Sequence, residues 1–437
     1  MLVDKTTLSD LSIFESEEEL SVFHHLNHTH TNQGRDYLWL ILNNPLPNVL
    51  LIHDVQNLIK HIQTVAAKWP NTITNGTIMV IEKFYDTPIS PYPKNKNEVE
   101  SFFYKLFNKF DYSLSKYSVE HAISFIKGIY QLANLLNQSD SKKLQHWVNT
   151  MLEKFNHHLV QQMLQLDAKS ILQPYQILEY AHFFRHNFKY EINELIDLYS
   201  QLDAYLSLAI ACNKNHYTFP VLHQSETPFI DATKMYHPLL QSPVSYDVQL
   251  MKEKNFLFLT GANMAGKSTF IKTVGVSVYL AHIGMGVPAQ KMELSFFDGL
   301  LSNIHVSDNI MKGESYFFNE VHRIKSTIEK ISDGKNWLIL IDELFKGTNI
   351  QDAMKCSTAV IEGFCKMNNA LFVLSTHLYE IAEDLQKHNN IQFKYFETSV
   401  HNNQLLFSYE LKEGISNDRL GYLILQREGV VQLLNNL

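Results

Sequence analysis

Two kinds of apolar pattern divide the chain. From about Ser16 to Ala211 apolar residues recur at steps of three and four between long polar stretches, which is helical spacing. Val119, Ile123, Ile126, Tyr130, Ala133 and Leu136 form one such stripe, and Leu198, Leu202, Tyr205, Leu206 and Ala209 form another. Each predicts a helix with that face packed inward. The three prolines of DTPISPYPKNK (86–96) predict a loop between helices.

After about Asn213 the pattern changes to short, continuous apolar runs bounded by polar or glycine residues. FLFLT (256–260), WLILI (337–341) and ALFVLS (370–375) are the clearest. Runs of this length, alternating with helical stretches, predict strands buried on both faces of a mostly parallel sheet. Near the end, IQFKYFETSV and QLLFSYEL flank Asn402-Asn403. That predicts an antiparallel hairpin, because asparagine tolerates the positive φ of a tight turn. The expected fold class is multidomain, α and α/β: an all-helical domain over 1–225, then an α/β domain over 226–437.

Composition narrows the function classes. With 45% hydrophobic and 19% charged residues the chain can build a sizeable core, which excludes a disordered or low-complexity protein. A net charge of −8 excludes coating of nucleic acid by bulk charge, so any such contact needs a local basic patch. Cys212, Cys356 and Cys365 are odd in number and not in metal-type spacing, which argues for a reducing interior. The start MLVDKTTLSD is not a secretory signal, and no apolar run approaches the ~20 residues that span a bilayer. A cytoplasmic protein without a membrane partner is expected.

The strongest chemical signal is GANMAGKST: Gly261, Ala262, Asn263, Met264, Ala265, Gly266, Lys267, Ser268 and Thr269. It follows an apolar strand and precedes a helix, the context in which Gly-x4-Gly-Lys-Ser cradles phosphates with backbone N–H groups. Lys267 is expected to meet the β- and γ-phosphates of ATP, and the Ser268 hydroxyl to hold Mg2+. WLILIDEL ends a strand in two carboxylates. Asp342 is then placed for Mg2+, and Glu343 for activating the attacking water. His377 follows the run ALFVLS, where a neighbouring strand would end, and could donate to a γ-phosphate. Each of the last two is weak alone. Their order after a phosphate loop points to an ABC-type, Mg-dependent ATP hydrolase.

Other clusters carry less. His24, His25, His28 and His30 lack a cysteine or paired carboxylate to complete a ligand set. Lys94, Lys96, Lys142 and Lys143 read as solvated surface.

These motifs resemble the MutS family of DNA mismatch-repair ATPases. TGANMAGKST is close to the family's TGPNMGGKST, and the internal Asn-Met is more specific than the generic loop. SDNIMKGESYFFNEV (307–321), IDELFKGTNIQDA, STHLYEI and the tail KEGISNDRLGYLILQREGV are similar to the family's later ATPase motifs. THTNQGRDYLWLILNNPLPNVLLIHDVQNLI and LDAYLSLAIACNKNHYTFP look like parts of its core domain. The resemblance is to a short form lacking the mismatch-reading and connector domains. It implies a helical core or lever domain before an ABC-type P-loop ATPase domain. It also implies a homodimer through the ATPase domains, with Ser315 completing the partner's site, and DNA and other repair proteins as partners. Phe345 and Lys346 stand where the family has Gly-Arg. Val244 or Tyr246 stands where it stacks an aromatic on adenine. The alternative to a DNA-coupled ATPase is an ATP-switched protein-interaction module that does not bind DNA.

Overall fold

The computed structural model of the chain describes residues 1–95, 97–167, 170–304, 316–401, 404–416 and 430–435. It divides into two compact units. One comprises Met1–His25, Asn44–His53 and Asn215–Leu437; the other comprises Leu26–Asn43 and Asp54–Lys214.

The strands, in chain order, are β1 (Leu2–Val3), β2 (Val221–His223), β3 (Ile230–Met235), β4 (Tyr246–Leu250), β5 (Phe256–Thr260), β6 (Lys291–Ser295), β7 (Gly299–Asn303), β8 (Trp337–Asp342), β9 (Ala370–Ser375), β10 (Ile391–His401) and β11 (Gln404–Glu413). They form a seven-stranded sheet, β1-β7-β8-β9-β5-β10-β11, and a four-stranded sheet, β2-β6-β3-β4. All neighbours in the larger sheet are parallel except β10 and β11. As the apolar runs predict, β5 and β9 are buried at every position, and β8 at every position but Asp342. The expected hairpin is present as β10–β11, paired up to His401 opposite Gln404; Asn402 and Asn403 lie outside the described residues. Register aligns the site: Leu259 of β5 and Asp342 of β8 both lie opposite Ser375 of β9. The phosphate loop, the acidic pair and the histidine segment therefore leave the sheet side by side.

Against the expected division at 225/226, Met1–His25 and Asn44–His53 pack within the unit that carries this sheet. The cause is edge pairing and one buried carboxylate. β1 adds to β7, and Asp10, 2% exposed, accepts from the Ser302 hydroxyl (2.5 Å) and the Ile304 N–H (3.0 Å). A two-residue strand carries no periodicity by which sequence could announce it.

The second unit is helical throughout its regular structure, with long helices at Lys109–Leu136 and Lys189–Lys214. The stripes predicted on them are buried, except Tyr130, which is 39% exposed and meets Phe155 edge-on at 5.4 Å. Lys143 also departs from its expected solvated role. Its ammonium donates to the Tyr205 hydroxyl (2.9 Å) and lies 4.9 Å from the centre of the Trp147 ring. Asp203, fully buried in the Lys189–Lys214 helix, ties down the start of another helix. Its carboxylate accepts from the His30 N–H (2.9 Å), the Thr31 N–H (2.8 Å) and the Thr31 hydroxyl (2.7 Å). Asp203→Ala would leave these donors without an acceptor, at about 1–3 kcal/mol for each buried group. Thermal denaturation should show a loss of about 3 kcal/mol or more, and a melting curve like the wild type's would refute this role.

Candidate functional site

The phosphate loop turns from β5 into the Lys267–Ile283 helix through left-handed backbone at Gly261 (φ 138°), Met264 (φ 68°) and Gly266 (φ 108°). Glycine adopts these angles without steric penalty, which is why the loop needs it at both ends. Ala262 and Ala265 are buried behind the loop. Asn263, Met264, Gly266, Lys267, Ser268 and Thr269 line a cleft of about 600 Å3. Asp342, Glu343, Lys346 and His377 line the same cleft, as do Val244, Tyr246 and Tyr409.

Lys267 is 6% exposed. Its ammonium donates to the carbonyls of Gly261 (2.8 Å) and Ala262 (3.0 Å). Burial pulls its pKa below the ordinary lysine value, against the support of Glu343 and Asp342. His377 Nε2 lies 2.8 Å from Glu343 Oε1 and 3.3 Å from Lys267 Nζ. An ionised carboxylate only accepts, so His377 carries its proton on Nε2 and donates to Glu343. The donor expected to meet a phosphate is thus directed at the acidic pair. Lys346 approaches the other oxygen of Glu343 at 3.3 Å. Burial alone would raise the Glu343 pKa. The His377 hydrogen bond and the Lys346 ammonium outweigh it and hold the carboxyl below the usual range.

Asp342 accepts hydrogen bonds from two hydroxyls, Ser268 on one oxygen and Ser375 on the other. A hydroxyl and a carboxylate brought together at the mouth of a phosphate loop are hard oxygen donors of the kind Mg2+ takes. The residues therefore fit the expected ion. Ser375, Glu320 and Tyr409 were not singled out by sequence. Ser375 lies inside the STHLYEI motif, and only strand register shows that it faces Asp342. Glu320, 2% exposed, accepts from the N–H groups of Lys346 (3.1 Å) and Gly347 (3.2 Å), fixing the loop after the acidic pair. Tyr409 comes from the distant β11 and is 42% exposed. Tyr246 is instead packed edge-on between Phe270 (5.2 Å) and Phe396 (5.8 Å), so it forms a wall of the cleft. Ser315 lies outside the described residues. Of the histidine cluster, His25 contacts the Tyr217 hydroxyl (2.9 Å) and His24 faces Glu18 (3.7 Å). Among the described residues no group of three or more His, Cys, Asp or Glu could hold a metal, and no helix is long and apolar enough to cross a membrane.

Residues 257–432 match the family model of MutS domain V. The chain is 32% identical over 267 residues to the DNA mismatch repair protein MSH3 of Vanderwaltozyma polyspora, covering 58% of this chain and 26% of that protein. It is 28% identical over 265 residues to the DNA mismatch repair protein MutS of Listeria monocytogenes, covering 59% and 30%. With MutS of a Geobacillus species the identity is 29% over 268 residues, again covering 59% and 30%. The matched region amounts to roughly a quarter to a third of the length of these relatives.

Phe345 occupies left-handed backbone (φ 59°), while its ring is 4% exposed and packs 5.7 Å from Phe317. Two effects oppose each other in Phe345→Gly. Relief of the backbone returns about 1–2 kcal/mol, whereas loss of a buried phenylalanine costs about 3–5 kcal/mol. Packing wins, so the variant should be less stable by roughly 2 kcal/mol in denaturant unfolding. A more stable variant would show that the backbone strain dominates.

Proposed function

We propose, for a chain that belongs to the MutS family and matches it over part of its length, that the cleft binds ATP with Mg2+ and hydrolyses it. One observation carries this reading: Glu343, held charged by His377 and Lys346, stands in one cleft with Lys267 and the Ser268–Asp342 pair. Lys267 anchors the β- and γ-phosphates. Ser268 and Asp342 would hold the magnesium ion, which when bound neutralises phosphate charge. Glu343 accepts the proton of the attacking water as the new P–O bond forms and the bond to the leaving ADP oxygen breaks. His377 orients that carboxylate. Tyr409, whose ring lies beside Gly266, and Val244 line the same cleft and offer faces to the nucleobase. The helical unit acts as the lever of the family's core domain, and hydrolysis in a homodimer, with Ser315 serving the partner's site, is coupled to DNA. Localisation is cytoplasmic.

Glu343→Gln keeps the side chain's shape and removes the base. ATP should still bind, while turnover falls by about 10²–10⁴-fold. Unchanged turnover removes Glu343 from the mechanism. Because its pKa is held down, the base stays ionised below the ordinary carboxylate range, so hydrolysis should persist there. Lys346→Met removes one counter-charge and raises that pKa, moving the acid limb of the pH–rate profile to higher pH. An unmoved limb would show that Lys346 does not tune the base.

Lys267→Ala should weaken ATP binding by on the order of 2 kcal/mol or more, measured by calorimetry. In the shared-site reading, mixing inactive Lys267→Ala chains with inactive Ser315→Ala chains restores partial activity, since each mixed dimer has one whole site. A mixture as inactive as its components counts against sharing. For DNA, a salt titration of binding to homoduplex, mismatched and branched duplexes decides between the readings. Affinity that falls steeply with salt supports phosphate contacts, and absence of binding to all three leaves the protein-interaction module.

A further inference from the structure

We infer that the Glu98–Phe107 helix is a self-association surface, on which the same helix of a second copy of this chain packs antiparallel about a two-fold axis. Its pattern is strongly amphipathic but faces the unexpected way. Ser101 and Tyr104 are buried, and the Tyr104 hydroxyl donates inward to the Ser90 carbonyl at 3.0 Å, which fixes the inner side. Val99 (64% exposed), Phe102 (59%), Phe103 (50%), Leu106 (47%) and Phe107 (75%) then line the outer side at helical spacing. Phe110 (72%) is exposed at the start of the next helix, two residues past the break at Asn108. Phe103 and Phe107 stack with ring centres 6.2 Å apart.

Area and charge select the occupant. With about 200 Å2 for a whole phenylalanine, the four rings alone expose on the order of 500 Å2. That is near the upper end of the ~300–600 Å2 largest apolar patch on a typical monomer. Two copies, with Val99 and Leu106 included, could bury at most somewhat above the ~1,200 Å2 at which specific interfaces begin. Glu98 and Glu100 flank the start of the stripe, and Lys105 and Lys109 flank its end. A parallel partner sets like charges together. An antiparallel copy sets each acidic end against a basic end, as a self-complementary two-fold contact requires. The net charge of −8 disfavours an anionic bilayer as the cover. This surface lies in the helical unit, whereas the nucleotide cleft lies in the other.

The test is sedimentation equilibrium of the full chain without nucleotide. Phe102→Ser combined with Phe107→Ser should weaken self-association at least about tenfold, with circular dichroism and ATP binding unchanged. Glu98→Lys alone and Lys109→Glu alone should each weaken it too. Mixing these two variants should restore pairing as a heterodimer, since both end contacts are then opposite in charge. The inference fails if the wild type is monomeric throughout, if the serine variant associates as the wild type does, or if the charge variants do not recover on mixing. It also fails if the chain stays monomeric while floating with phosphatidylcholine–phosphatidylserine vesicles, which would make a lipid surface the occupant.

Discussion

A buried ammonium and two carboxylates meet where β5, β9 and β8 end, and the cleft is built around giving each of the three its polar partners. A buried ammonium without partners would lose its charge, and burial already pulls the Lys267 pKa down. Lys267 is held by two loop carbonyls, and Asp342 by the hydroxyls of Ser268 and Ser375. Glu343 is held by His377 and Lys346. For Lys267, 6% exposed, removing its partners leaves an uncompensated buried charge, a larger loss than the contact itself is worth. The network therefore ties three strand ends into one arrangement, and that arrangement is what a nucleotide would meet.

Of the seven non-glycine residues with positive φ among the described residues, four lie in or beside the same cleft, the others being Ser12, His216 and Lys234. Met264, Glu343, Phe345 and Tyr409 all take positive φ without being glycine. Such residues persist only where surrounding structure over-determines them, and they cluster at working sites. For Glu343 the surroundings are visible: its N–H donates to the Ser375 carbonyl at 2.9 Å, one step beyond the last β8–β9 pair. The left-handed turn there aims one carboxylate at Ser268 and the next at His377. Phe345 is held in it by packing, and Glu320 clamps the following two N–H groups. Glycine is the residue such a backbone favours. The Gly-Arg of the resemblance is replaced here by a ring that packs and a lysine that still reaches the acidic pair.

The two units owe their integrity to different forces. The sheet unit buries continuous apolar strands on both faces and recruits the first residues of the chain through an edge strand and the Asp10 carboxylate. The helical unit rests on stripes at 3.6-residue spacing, pinned by polar contacts such as Asp203 with Thr31. Within it, the Glu98–Phe107 helix keeps its small and hydroxyl-bearing side inward and leaves its phenylalanines outward. Amphipathic spacing is thus a reliable sign of a helix, but it does not say which neighbour covers the apolar side.

Sequence alone determined whatever depends on local order. Strands β5, β8 and β9 follow from uninterrupted apolar runs, the long helices from their stripes, and the phosphate loop from glycines and a lysine at set spacing. The pairing of β10 with β11 follows from two flanking runs and a short turn. Residues 342, 343 and 377 can be singled out because chain order after such a loop restricts what strand ends can do, and the structure brings them into one cleft with Lys267. Tertiary structure decided what depends on neighbours distant in the chain. Only the order β8-β9-β5 sets Ser375 against Asp342 and aims His377 at Glu343. Tyr409 reaches the cleft because β11 doubles back on β10, and Tyr130, inside an otherwise buried stripe, stays 39% exposed with Phe155 against its edge. The first residues join the sheet unit because a two-residue strand gains its hydrogen bonds from β7 and not from any pattern of its own. Local steric and periodic preferences are written in adjacent residues, whereas the fate of a side chain's charge or ring depends on which distant segment lies beside it.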